Sequence, residues 1–140
     1  MECMYCNETE TLKNLMLPIC SLRYGKLYLF KDQTYRGRSI FAYNRHIDQL
    51  WDMPEEDVGG FFCELQKIQK AIAEVTGVQK VNLGCFGDKM NPPHFHVHLV
   101  PKKEGVPNFG GTFTMNQENP VYLSDEEYQE LISAIQEKLQ

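Results

Sequence analysis

Basic residues are outnumbered in this chain, histidine is scarce, and long apolar runs are missing. Against 19 Asp and Glu stand 14 Lys and Arg, a formal net charge of −5 over 140 residues. A general nucleic-acid binder presents a basic face, so no nucleic-acid polymer is expected as a partner. No stretch approaches the ~20 apolar residues of a spanning helix, so no membrane association is expected either. The start Met1-Glu-Cys-Met-Tyr-Cys6 lacks the regions of a signal peptide, which predicts a cytoplasmic protein. Repeats, low-complexity tracts and a clear linker are also absent, and the length suits one domain over residues 1–140.

Five cysteines, an odd number without an export signal, speak against a disulfide framework. Cys20, Cys63 and Cys85 stand alone and are expected to be buried core thiols, Cys63 because it falls in an apolar helical stretch. Cys3 and Cys6 form a CxxC with no second CxxC to complete it.

Alternation and turn residues predict strands at Leu27–Phe30 and Arg38–Tyr43, with Gly37 between them. Pro54-Glu-Glu-Asp57 opens a helix, since proline and acidic residues suit the first turn. Val58, Phe61, Phe62, Leu65, Ile68, Ile72 and Val75 give it one apolar face, and Gly77 stops it. Val81, Leu83 and Cys85 mark a third long strand, and a turn-rich loop through Pro92-Pro93 links it in a hairpin to the strand that follows. Ser124 and Glu127 make a capping box for a last helix with Tyr128, Leu131, Ile132, Ile135 and Leu139 inward. An antiparallel sheet under one long helix plus a C-terminal helix is an α+β domain.

Three of the four histidines fall within five residues, as His94-Phe-His96-Val-His98. Side chains alternate along a strand, so the three project as one row with Phe95, Val97 and Leu99 behind them. Neutral imidazole is the commonest metal ligand, so the row suits a catalytic metal with an open position. It equally suits divided labour, one histidine attacking phosphorus while its neighbours stabilise charge. A solvated histidine-rich face is the bland alternative, and strict alternation after a Pro-Pro turn disfavours it. The cysteine pair needs two more ligands for tetrahedral zinc. His46 and one histidine of the row complete a Cys2His2 set with Cys3 and Cys6; a redox CxxC lacks the preceding strand it requires, and a frayed terminus is the other alternative.

His94-x-His96-x-His98-Leu-Val-Pro101 resembles the signature of the histidine-triad (HIT) family of nucleotide hydrolases and transferases. Lys80-Val-Asn82 with Gly87 is similar to the strand and turn before that signature. The early CxxC and Arg45-His46-Ile47 are similar to the zinc-binding branch related to galactose-phosphate uridylyltransferase. The likeness runs from Cys3 to about Pro101. It implies an α+β domain, a homodimer, and attack by His96 on the α-phosphate of a nucleotide to give a covalent nucleotidyl-histidine. His98 would hold the phosphate and stabilise charge. His94 would be the fourth ligand of a structural zinc beside Cys3, Cys6 and His46. Asn82 would hydrogen-bond near the phosphate; Asp32, set beside the family's ribose-binding acid, reads better as a turn aspartate. The family's Gly-x-Gln-Ser/Thr segment is missing, and Asn91 takes the place of its hydroxyl, with Lys89 nearby. Phe109–Phe113 is placed either at the substrate mouth or in a plain loop.

The implied activity is hydrolysis of a nucleoside phosphoramidate or dinucleoside polyphosphate. A nucleotidyltransferase would use the same intermediate, a binding module would leave the triad idle, and a metalloenzyme would place all three histidines on one ion.

Overall fold

The computed structural model describes residues 2–140. Short helices α1 (Met4–Asn7) and α2 (Glu10–Leu15) lead into strand β1 (Met16–Ser21). Strands β2 (Gly25–Phe30) and β3 (Ser39–Tyr43) follow, then a 3-10 turn at Leu50–Asp52 and the long helix α3 (Glu55–Thr76). Strands β4 (Val81–Gly84) and β5 (His96–Pro101) and helix α4 (Asp125–Leu139) complete the fold. The sheet runs β1-β2-β3-β5-β4, every neighbouring pair antiparallel, which makes the fold α+β as expected.

Alternation sorts the sheet into two faces. Ser39, Phe41, Val97 and Leu99 pair on one side, and Ile40, Ala42, His96 and His98 on the other. The first face lies beneath α3 and α4 in the main core, where Leu27, Phe41, Phe61, Ile68, Leu99 and Ile135 are almost fully buried. Phe41 and Phe61 stack at 4.8 Å and fix the helix over the middle strands. The histidine face carries a smaller cluster of Tyr5, Leu12, Met16, Tyr28, Ile40 and Ala42.

Local signals account for the helix ends. Pro54 is the N-cap of α3, Gly77 closes it in the left-handed conformation at φ 72°, and Ser124 and Glu127 form the capping box of α4. The β1–β2 turn is tied to α3 by Glu64, which accepts hydrogen bonds from the backbone N–H of Arg23 (3.0 Å) and Tyr24 (2.8 Å). Gly60 leaves room for this contact, since a Cβ there would lie 2.2 Å from the Tyr24 ring.

Several expectations fail on burial. Cys63 and Cys85 are exposed, so neither is a core thiol, and Cys20 is half-buried at the edge of the main core. Cys63 and Phe62 follow Phe61 on the outward side of α3, where Phe62 keeps 40% of its surface. The third strand ends at Gly84 rather than Cys85, and Leu83 is 46% exposed because β4 is a sheet edge that α3 covers only at Val81. Strand β1 and helices α1 and α2 were not anticipated, although Thr9, which caps α2 by accepting from the Leu12 N–H, was an available signal. Among the described residues no helix is long and apolar enough to cross a membrane.

Candidate active site and metal centre

The hydrogen-bonded ladder of β5 begins at His96, so His94 stands just ahead of the strand. Its segment is held by Phe95, whose N–H donates to Ile47 (2.8 Å) and whose carbonyl accepts from Tyr43 N–H (3.1 Å). The three histidines share a face but not an environment. All are buried, at 4%, 6% and 5% exposure, so each ring nitrogen must be accounted for.

His94 donates from Nε2 to the carbonyl of Tyr43 at 2.7 Å. A carbonyl only accepts, so the proton sits on Nε2 and Nδ1 presents its lone pair. That lone pair faces Cys3 Sγ at 3.4 Å and Cys6 Sγ at 3.5 Å, while Cys6 Sγ lies 3.5 Å from His46 Nδ1. The four ligand atoms lie within 4.8 Å of one another. A tetrahedral zinc with bonds of about 2.1–2.3 Å sets its ligands roughly 3.3–3.8 Å apart, so the donor set fits a metal ion. Desolvation and the neighbouring Cys3 push the Cys6 thiol above its ordinary range. The carbonyl of Tyr43 orients the His94 ring, the usual arrangement behind a metal-bound imidazole.

His96 has the complementary tautomer. Its Nδ1 donates to the carbonyl of His94 at 2.7 Å, which leaves the Nε2 lone pair free. Burial lowers the pKa of this imidazole, keeping the lone pair unprotonated near neutrality. Gly87, at φ 108°, brings the β4–β5 loop over the ring; a Cβ there would be 3.7 Å from His96 Cε1. Tyr5, between the two cysteines, packs on His94 (5.2 Å) and His96 (5.1 Å) and ties the cysteine–histidine cluster to the second histidine.

His98 meets His96 edge-on at 5.1 Å and packs against two aromatic rings, Phe86 at 5.9 Å and Phe113 at 6.1 Å. Phe86 and Phe113 also meet edge-on at 5.7 Å, so two separate loops close over the row. Burial, with the nearby His96 and Arg38, pushes the His98 imidazole down to about 3, and it stays neutral.

Solved structures share this arrangement of strands and helices. A histidine triad protein from Sinorhizobium meliloti matches with a TM-score of 0.83 at 23% identity, over 93% of this chain and 94% of its own. The chain has the histidine triad fold. A zinc-bound histidine triad family protein from Mycobacterium smegmatis matches with a TM-score of 0.65 at 20% identity, over 99% and 94% of the two chains. A hypothetical histidine triad nucleotide-binding protein from Sulfolobus tokodaii matches with a TM-score of 0.71 at 18% identity, over 98% and 91%. No family model matches the chain, and no curated protein matches it.

The triad fold brings together some sequence-predicted residues and not others. Cys3, Cys6, His46 and His94 form one cluster. Asn82 pairs with Val100 in the ladder, so it stands half-buried on the histidine face, diagonal to His98. Asn91 is exposed and lines a separate cleft with Met4, Thr9 and Pro92, and Lys89 is exposed beside it. Asp32 behaves as a turn aspartate: its Oδ1 accepts from the Thr34 hydroxyl (2.7 Å) and from the N–H of Thr34 and Val121 (both 3.1 Å). Phe113 is buried beside His98, whereas Phe109 is 53% exposed, so only one end of that segment covers the row. Sequence reasoning passed over Tyr5 and Arg38, although an aromatic inside a CxxC and an arginine opening an apolar strand were the available signals.

Proposed function

We propose that the protein is a nucleotide hydrolase that cleaves at the α-phosphate of a nucleoside phosphoramidate or dinucleoside polyphosphate, through a covalent nucleotidyl-histidine. The observation that carries this reading is the His96 tautomer: Nδ1–H is committed to a backbone carbonyl and the Nε2 lone pair is left on a neutral ring. A pre-oriented imidazole of that kind is a nucleophile. In the first step His96 Nε2 bonds to phosphorus as the bond to the leaving group breaks. In the second, water cleaves the phosphorus–nitrogen bond and frees the nucleoside monophosphate and His96. His98 donates to the phosphoryl oxygens as their charge builds.

Asn82 and Asn91 are the other proposed substrate contacts. The ladder register supports Asn82; Asn91 is proposed from its place in the sequence alone, since its side chain lines a separate cleft. We read the metal as a structural zinc, from the two-thiol, two-imidazole donor set and the zinc-bound neighbour. Bound there, zinc supplies rigidity, because His94 gives Nδ1 to that cluster and its carbonyl to His96. The same reading makes the protein a homodimer, which the unpaired edge of β4 supports, with Leu83 and Phe86 exposed at 46% and 47%. Five cysteines without a disulfide suit the reducing cytoplasm.

The test is mass spectrometry, without acid quench, after brief exposure to a panel of adenylyl and guanylyl phosphoramidates and dinucleotides. A nucleotidyl adduct mapped to His96, absent in His96→Ala, is expected. Nucleotide binding with neither adduct nor product across the panel would overturn the reading in favour of a binding module.

A further inference from the structure

Arg38 is the largest side chain on the histidine face to be fully buried, at 1% exposure. Ser39 pairs with Leu99 toward the helices and Ile40 sits opposite His98, so Arg38, one residue earlier, projects to the histidine side. Its Nη1 donates to the Met115 carbonyl (3.0 Å), and its Nη2 reaches Met115 Sδ (3.1 Å) and His98 Nδ1 (3.4 Å). Its Nε has no partner. Among the described residues no carboxylate forms an ion pair with it. The flat faces of the guanidinium are covered instead by Phe30 at 4.2 Å and Phe113 at 5.4 Å.

A guanidinium stays protonated in proteins, and burying one without an anion is costly. Packing alone would be met more cheaply by methionine or leucine, so the charge and its donors need another reason. His98 supplies one. A guanidinium only donates, so the nitrogen it faces must present a lone pair, and the imidazole proton is left on Nε2. His96 beside it has the opposite tautomer, set by a carbonyl that only accepts. Two imidazoles meeting edge-on, 5.1 Å apart, therefore offer a lone pair and an N–H from equivalent positions. The opposite His98 tautomer would present a second lone pair to the phosphate and repel it.

We infer that Arg38 is a positioning residue, whose guanidinium occupies Nδ1 of His98 and keeps the Nε2 proton aimed at the substrate phosphate. The phosphate in that statement rests on the proposed hydrolase reading; the Arg38–His98 pairing does not. Arg38 lies behind the ring rather than in front of it, so it acts through His98.

The test is long-range proton–nitrogen correlation NMR on 15N-labelled protein, with the His98 ring assigned by its loss in His98→Asn. Near neutral pH, His98 Nε2 is expected to be protonated and Nδ1 bare. Arg38→Met should give a mixed or Nδ1-protonated ring, and Arg38→Lys, which keeps a cationic donor, should restore the native pattern at least in part. With a phosphoramidate that the wild type turns over, Arg38→Met should lose about 10- to 100-fold in kcat with KM nearly unchanged. A wild-type His98 protonated on Nδ1, or an Arg38→Met ring identical to wild type, would overturn the inference. The wild-type spectrum decides even if Arg38→Met fails to fold. The spectrum needs no turnover, so the native tautomer in a protein that forms no adduct would fail the hydrolase reading and leave the pairing standing.

Discussion

His96 gives its Nδ1 proton to the backbone carbonyl of His94, 2.7 Å away. The residue that lends a ring nitrogen to the cysteine cluster thus also fixes the ring of the neighbouring histidine. Tyr5 reinforces the link, since it sits between Cys3 and Cys6 and packs on both imidazoles. The cysteine–histidine cluster and the candidate nucleophile are thus joined by one backbone carbonyl and one aromatic ring.

Metal content should follow the cluster and not the whole row. Cys6→Ser and His94→Ala are expected to lose bound zinc, measured by elemental analysis of purified protein, and to slow adduct formation at His96 by about tenfold. His96→Ala is expected to keep its metal. Zinc retained in Cys6→Ser and lost in His96→Ala would instead favour one ion on all three histidines.

Tyr5 separates packing from polarity. No hydrogen bond of its hydroxyl occurs among the described residues, whereas its ring is buried at 7% exposure. Tyr5→Phe should be nearly neutral, and Tyr5→Ala should cost about 3–4 kcal/mol, read from urea denaturation. Equal losses in the two variants would contradict this account.

Acid should destabilise the fold through the histidines. His98 is pushed down to about 3 by burial, His96 and Arg38, and burial lowers His94 and His96 in the same direction. An unfolded histidine titrates near about 6.5, so between those values the unfolded chain binds protons that the native state refuses. Stability therefore rises with pH in that window: it is fully present above about 6.5 and is lost as pH falls toward 3, at up to ~1.4 kcal/mol per pH unit for one such group. Denaturant midpoints from about pH 7 to about pH 4 should fall, less steeply in His98→Asn. A flat wild-type profile would refute the assignment.

The β1–β2 turn offers a test away from the site. Glu64→Ala removes the acceptor of two backbone N–H groups and should cost about 1–3 kcal/mol. Gly60→Ala should also destabilise, although alanine favours helix by roughly 1 kcal/mol, because its Cβ would overlap the Tyr24 ring. A stabilised Gly60→Ala would mean that Tyr24 moves aside freely.

Where a single periodicity governs, the sequence was readable. The spacing Phe61, Leu65, Ile68, Ile72 placed the inward face of α3, and alternation in β5 put His96 and His98 on one face. The grouping of Cys3, Cys6, His46 and His94 was readable too, because a CxxC without a second pair looks for its partners elsewhere. Burial at the margins was not, because apolar character does not say whether a neighbour is there. Phe62 and Cys63 sit on α3 where nothing covers them, and Leu83 on an edge strand. Arg38 was opaque for the opposite reason: charge predicts exposure, and only the tertiary arrangement of Phe30, His98 and Met115 explains an arginine at 1% exposure.

The cysteine–histidine cluster also bears on how the chain finds its fold. Cys3 and His94 are 91 positions apart, and Cys6 and His46 are 40 apart. Held together, they close two long loops, as cross-links do, and in the chain-entropy account a loop of about 90 residues removes roughly 4–5 kcal/mol of freedom from the unfolded ensemble. Tyr5 packs on Ile40 and Ala42 of β3 and on the His96 ring of β5, so the cluster is expected to close after those strands have paired. Refolding with zinc present should then yield a chain harder to unfold than refolding without it, with the difference residing mainly in the unfolding rate.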